Sequence, residues 1–360
     1  MSDLLENTET YLQTSVAPLA QDIDRDREAL RQAWQGLGEL GVLTLRVPRK
    51  LGGPEVTAEI FAEYQECIAR HSGALAFLQT QHQSAAGMLS ASSNCTLQRQ
   101  YLPAMRYGKI GVGIGFSQLR RPGKPMVRAV PVEGGYRLDG TVPWVTGWGI
   151  FEVFIVAATL PDGGAVFGVV PLREVEDKGG AIAIGAPMSL CAMTSTNTVA
   201  VTLKDWFLSG DRVVSVQPVG WIEENDQKKV LQASFFAIGC ARAGLDIVET
   251  AFEKRGFPFI REAAESLGEE LRNCRAAILD AIIGDEKYGF SEKVKLRARA
   301  IALAVRCAHA AVTVSAGAAN LSDRPAGRVY REALVFTVSG QTQPLMEATL
   351  SEIGGGSGGF

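Results

Sequence analysis

The chain has 360 residues, 46% hydrophobic and 21% charged, with a formal net charge of −3. That composition belongs to a globular body with ample core and excludes a disordered chain, while the mixed-sign, near-neutral charge lacks the basic footprint of a nucleic-acid binder. The acidic start Met1-Ser2-Asp3-Leu4-Leu5-Glu6 is no secretory leader and no apolar run of about 18 residues stands out, so no membrane span and a cytoplasmic location are expected.

The first unit, residues 1–107, reads as all-helical. Leu4, Leu5, Leu12, Val16, Leu19 and Ile23 fall at helical spacing, as do Leu30, Trp34, Leu37 and Leu40 before a stop at Gly41. Leu51-Gly52-Gly53-Pro54 breaks the pattern. Helices are then expected over Thr57–Arg70, Gly73–Leu89 and Leu97–Tyr107. From Gly108 the period changes to two. Ile110–Phe116, Tyr136–Gly140, Phe151–Val156, Val166–Val170 and Thr198–Leu203 are strand-length and β-rich, separated by turns such as Pro161-Asp162-Gly163-Gly164. They define a central β unit over 108–212. Helical spacing returns in 213–353, with long stretches at Ala237–Lys254, Glu262–Ile283 and Ser291–Ala319 and shorter ones at Arg328–Val338 and Gln343–Ile353. Residues 354–360, rich in glycine, read as flexible coil.

Helices, then a sheet, then helices make an α+β chain and argue against a doubly wound α/β fold. Gly111, Gly113 and Gly115 do not have Gly-x-Gly-x-x-Gly spacing, so they mark a strand that something approaches closely. The six cysteines are scattered and the three histidines share no helical pair, which excludes a disulfide framework and a zinc-hydrolase motif. The small residues of Gly239–Gly244 suit helix–helix contact. Asp285, Glu286, Lys287, Glu292, Lys293, Lys295, Arg297 and Arg299 read as a solvated face.

Several segments, in order along the chain, carry a resemblance to one family. They are Leu37-Gly38-Glu39-Leu40-Gly41 with Val47-Pro48 and Gly52-Gly53; Tyr101-Leu102-Pro103; Tyr136-Arg137-Leu138-Asp139-Gly140 with Trp144-Val145-Thr146; Thr196-Asn197-Thr198 with Trp206-Phe207; and Pro325, Arg328, Val329, Arg331, Glu332 and Ala333. Together they resemble the acyl-CoA dehydrogenase superfamily: an N-terminal helical domain, a middle β-sandwich or barrel and a C-terminal helical bundle. The resemblance implies a flavin, normally FAD, between the β domain and the bundle. It implies Phe116, Ser117, Trp144, Val145, Thr146 and Thr342 as cofactor-binding residues. An indole offers a flat apolar face and a threonine a short hydroxyl beside such a ring. His82 is implied near the cavity and is the candidate proton carrier. A homodimer or homotetramer is implied as well.

The chain also departs from that family. Where a Thr-Glu-Pro-x-x-Gly-Ser-Asp run is usual, it reads Ser117-Gln118-Leu119-Arg120-Arg121-Pro122-Gly123. The nucleotide-holding features near Arg255 and near Ala316-Gly317 are degraded. The usual base, a Glu before Gly-Thr, is missing at Ser339-Gly340. Abstraction of an acyl α-proton needs a carboxylate in reach; Asp226 and Glu249 are the alternatives considered. Three readings stay open. The first is a flavin-dependent oxidoreductase acting on an acyl thioester such as acyl-CoA, or a related small molecule. The second is a two-component flavin monooxygenase fed reduced flavin (FAD or FMN) by a reductase. The third is a non-catalytic scaffold that has lost its flavin.

Overall fold

A computed structural model of the chain describes residues 2–177, 179–284 and 287–355. Asp285, Glu286 and the tail from 356 onward, included in the expectations above, lie outside the described residues.

The N-terminal helices begin where short polar side chains can hold the free backbone amides of a first turn. Asp26, Thr57, Ser72 and Asn94 accept from the amides of Ala29, Ile60, Leu75 and Leu97. They start α3 (Arg27–Glu39), α4 (Ala58–His71), α5 (Gly73–Ser90) and α6 (Cys95–Arg106). Before them lie α1 (Ser2–Tyr11) and the short α2 (Ala20–Arg25).

The sheet holds nine strands: β1 (Val112–Gly115), β2 (Val127–Val132), β3 (Gly135–Val145), β4 (Val153–Thr159), β5 (Ala165–Pro171), β6 (Val175–Asp177), β7 (Gly180–Ile184), β8 (Val199–Ser209) and β9 (Val213–Gln217). Their order is β6-β7-β8-β3-β2-β4-β5-β9, with β1 pairing in parallel with β4. The sheet therefore continues past Arg212. Gly210–Arg212 is a 3₁₀ turn leading into β9, which pairs with β5. Glycines in and just before β1 admit the protein's own aromatic rings. A Cβ on Gly111 would lie 2.4 Å from Phe151, and one on Gly115 would lie 3.0 Å from Phe154.

The bundle comprises α7 (Trp221–Lys228), α8 (Ser234–Arg255), α9 (Pro258–Ile283), α10 (Phe290–Ser315), α11 (Pro325–Val338) and α12 (Gln343–Ile353). Helix α9 starts earlier than the expected Glu262 because Pro258 occupies its first position, where a missing amide costs nothing. With its 3₁₀ extension to Asn320, α10 is long and apolar enough to cross a bilayer by length and composition, a feature the sequence reading overlooked. It packs against α8, α9, α11 and α12, as the core helix of a bundle does.

Close helix approach is visible at Gly244. A Cβ there would meet the backbone of Cys307 at 2.7 Å and of Ala308 at 2.9 Å, so α8 and α10 touch main chain to main chain. Gly244→Ala should force the two helices apart and cost about 1–3 kcal/mol. Urea unfolding checks this, and an unchanged midpoint would show that the pair can slide without loss.

Both ends of the chain meet. Helix α4 packs on α8. Arg331 of α11 reaches Asp24 at 2.8 Å. Glu332 accepts from the Gly73 amide at 3.0 Å and from Arg328 at 2.6 Å.

Candidate cofactor crevice

The candidate site residues begin where β1 ends. After Gly115 the chain passes Phe116 and tightens into a 3₁₀ turn, Ser117–Arg120, packed against β3 and α7. Gln118 anchors the turn by donating to the carbonyls of Gly115 and Ala157. Arg120 then crosses to the bundle and grips Asp226 of α7 with two bonds of 2.6 and 2.7 Å. The remaining candidates stand on the bundle, at α10 and the link between α11 and α12. Arg297 donates to the carbonyls of Val230 (3.1 Å), Ser339 (2.6 Å) and Gly340 (3.4 Å). Arg297 feels the opposed charges of Asp226 and Arg120, and burial lowers its pKa to about 10.

Trp144, next to last on β3, leaves its side chain 46% exposed, a flat face available to a ring. Ser117 Oγ is buried without a partner on the β side, and Gln341 Oε1 is buried without one on the bundle side. Thr342 opens α12 without capping it through its side chain. Phe116 is partly occupied already, 5.9 Å from Phe167 and 6.3 Å from Trp221.

Two expected ring-binding contacts go elsewhere. Val145 is fully buried and paired with Val199 in the sheet. Thr146 Oγ1 is spent on Thr198 Oγ1 at 3.0 Å, and that hydroxyl lies 3.3 Å from Thr196 Oγ1. The Thr146 side chain thus ends inside a threonine cluster.

His82 needs correction too. It is wholly buried, and its Nδ1 accepts from the Val112 amide at 3.0 Å. Its Nε2 is therefore the protonated nitrogen, 3.1 Å from the Met105 carbonyl. Burial pushes its pKa down to about 4. With both nitrogens committed and Trp34 and Phe151 against the ring, this neutral imidazole joins α5 to the end of α6 and the start of β1. The geometry gives it a structural post in place of proton transfer.

Nor does the relocated base appear. Both oxygens of Asp226 are taken by Arg120, and Glu249 is held by Arg242. The link 339–341 is Ser-Gly-Gln, with a guanidinium bonded to its carbonyls. Arg297, expected on a solvated face, is instead buried. It is 6% exposed. The available signal was its register, since Val294, Arg297, Ala298 and Ile301 share one helical face.

Comparison with known proteins agrees with this architecture. Residues 2–109 match the family described as acyl-CoA dehydrogenase, N-terminal domain. The N-terminal third of the chain is thus similar to that family. It is 28% identical to human very long-chain specific acyl-CoA dehydrogenase, mitochondrial, over 59% of this chain and 33% of that protein. The matched stretch thus spans about a third of that relative's length. Glutaryl-CoA dehydrogenase from Mycobacterium smegmatis superposes with a TM-score of 0.83 at 17% identity, covering 100% of this chain and 95% of that one. KijD3, solved with FMN and a dTDP-linked amino keto sugar, superposes with a TM-score of 0.79 at 18% identity, covering 98% and 93%. At these identities the structural likeness shows the fold.

The donor set around the crevice fits the ring end of the superfamily's flavin. The exposed indole of Trp144 and the unpartnered Ser117 Oγ and Gln341 Oε1 are groups of the kind such a ring needs. The nucleotide end is poorer, because the Pro122-Gly123 segment that replaces Gly-Ser-Asp is exposed.

Proposed function

We propose that this chain is a flavin-associated oxidoreductase that works without a carboxylate at the acyl α-proton position, and that monooxygenase chemistry with FMN or reduced flavin describes it better than acyl-CoA dehydrogenation. The observation that carries this reading is the Arg297 guanidinium on the carbonyls of Ser339 and Gly340, where a dehydrogenase of this superfamily keeps its base. A cation held there cannot accept a proton from carbon. A flavin in this place supplies two-electron chemistry. Trp144 would present its face to the ring, Ser117 and Gln341 would answer its polar edge, and Thr342 would add a hydroxyl. KijD3 supports the FMN reading, since its structure pairs this architecture with FMN and a ligand that is not a thioester. The partner of such a system is a flavin reductase or another electron carrier. Self-association is part of the same reading. Helix α11 exposes Tyr330, Leu334 and Val338, and α12 exposes Met346, Leu350 and Ile353, apolar stripes suited to a second copy.

Titration of the purified chain with FMN, FAD and their reduced forms tests the proposal by quenching of intrinsic fluorescence and by melting temperature. We expect saturable binding that Trp144→Ala weakens about tenfold, the scale of one lost aromatic stack. Acyl-CoA added anaerobically should leave bound flavin unbleached. If no flavin form shifts either signal, the scaffold reading replaces this one. Bleaching by acyl-CoA would restore the dehydrogenase with a base elsewhere.

A further inference from the structure

Between β9 and α8 the chain runs through a segment with few roots in the core. Gly220, at φ +83°, opens α7 without a side-chain cap, and a Cβ placed there would meet nothing within 4 Å. Glycine takes that left-handed conformation without strain, and no wall confines the backbone around it. Helix α7 has eight residues, too few to persist on its own hydrogen bonds. It buries one side chain, Ile222, while Glu223, Glu224, Gln227 and Lys228 are exposed.

What holds α7 is the turn it rests on. Arg120 grips Asp226 through both oxygens, at 2.6 and 2.7 Å, and that pair is only partly buried. The Trp221 ring stands 4.9 Å from Phe167 and 6.3 Å from Phe116, and the Arg120 guanidinium lies over Phe116 at 5.9 Å. Beyond the helix the chain is pinned again, where Val230 and Leu231 are buried and Arg297 donates to the Val230 carbonyl at 3.1 Å. A short polar helix between an unconfined glycine and a buried anchor, fastened by one ion pair, opens at lower cost than the bundle around it.

We propose that residues 220–230 form a hinged lid over the turn Ser117–Arg120, latched by the Arg120–Asp226 pair, and that the lid opens to let flavin pass. Closed, it lies on the turn that carries Ser117 Oγ, buried and without a partner. Opening it frees Arg120 and takes Trp221 away from Phe116. A protein that exchanges flavin with a reductase must admit and release it, and a closing cover keeps water from the ring. The cargo rests on the flavin reading; the hinge and the latch do not.

Amide hydrogen exchange on the intact, flavin-free chain tests the lid. Residues 221–229 should exchange faster than α8 and α10. Asp226→Asn and Arg120→Gln should each quicken them about tenfold or more, the scale of lost charge-assisted bonds, and leave α8 and α10 unchanged. High salt should quicken the same segment in the unsubstituted chain, because the latch is partly exposed. Arg306→Gln, which breaks a pair with Glu270 elsewhere in the bundle, should leave the segment as it was. If a substitution quickens α8 as well, its effect is global and the salt response decides. Stopped-flow mixing with reduced FMN then reads the gate: unlatching should raise the association and dissociation rates together, with little change in Kd. Exchange in 221–229 as slow as in α8, or unmoved by both substitutions and by salt, overturns the lid. A weaker Kd at an unchanged association rate overturns the gate, since the pair then only shapes the site. Absence of flavin binding sinks the flavin reading and leaves the hinge to the exchange result.

Discussion

Between pH 6.5 and pH 4 the protein should lose about 3 kcal/mol of stability through His82 alone. The imidazole is wholly buried, and desolvation brings its pKa from 6.5 to about 4. The sign follows from the depression. Across that window the unfolded chain takes up a proton that the folded chain refuses, so acid favours the unfolded state, at up to about 1.4 kcal/mol per pH unit. His71 is also pushed down to about 4, by burial first and by Arg70 second; being partly exposed, it contributes less. Glu66, Glu152 and Glu332 are raised by burial and act in the opposite sense. A difference measurement isolates the histidine. His82→Gln keeps an acceptor for the Val112 amide and a donor for the Met105 carbonyl but does not titrate. Urea unfolding of both proteins from pH 7.5 to 4.5 should give curves that converge or cross as pH falls, with most of the 3 kcal/mol appearing in their difference. Parallel curves would remove His82 as the source.

Glu332→Ala should be the most damaging single substitution in the chain, costing about 3–5 kcal/mol. Glu332 and Arg328 are 1% and 6% exposed and lie one helical turn apart on α11. Removing the carboxylate leaves a buried guanidinium without its counter-ion and the Gly73 amide without its acceptor. The native pair is itself incompletely satisfied, since Glu332 Oε2 and Arg328 Nε have no partner. Glu332→Gln, which keeps an acceptor, should therefore cost less. The double variant Arg328→Met with Glu332→Leu should recover much of the loss. Unfolding midpoints of the parent, Arg328→Met, Glu332→Leu and the double variant form a double-mutant cycle. Additive losses would show that the two groups do not act as a pair.

The helical frame was legible because its signals are local. Ser72 and Asn94 mark starts that any reader of capping residues can find, and the apolar spacing of α3 and α10 is regular. The outline of the sheet was legible at β4, β5 and β8, whose β-branched runs are continuous. Strands β2, β6, β7 and β9 were not read; their residues alternate with proline, glycine and charge, and pairing with β3, β8 and β5 decides them. At the site, Trp144 and Ser117 could be singled out only through the family resemblance. Thr146 could not be placed correctly, because the alternative partner for its hydroxyl, Thr198, comes from a segment 52 residues away. Arg297 was hidden for a different reason. A cation on an apolar face has no local explanation, and its carbonyl partners lie 42 and 43 residues further along the chain.

The joining of the two ends has a consequence for how the chain is made. Helix α4 is synthesised well before α8 exists to cover it, and Asp24 waits 307 residues for Arg331. During that interval the face of α4 that packs on α8 stays uncovered. Contacts of such long sequence separation slow folding and prolong the exposure of sticky surface. The final packing therefore forms only after α8 and α11 have been made.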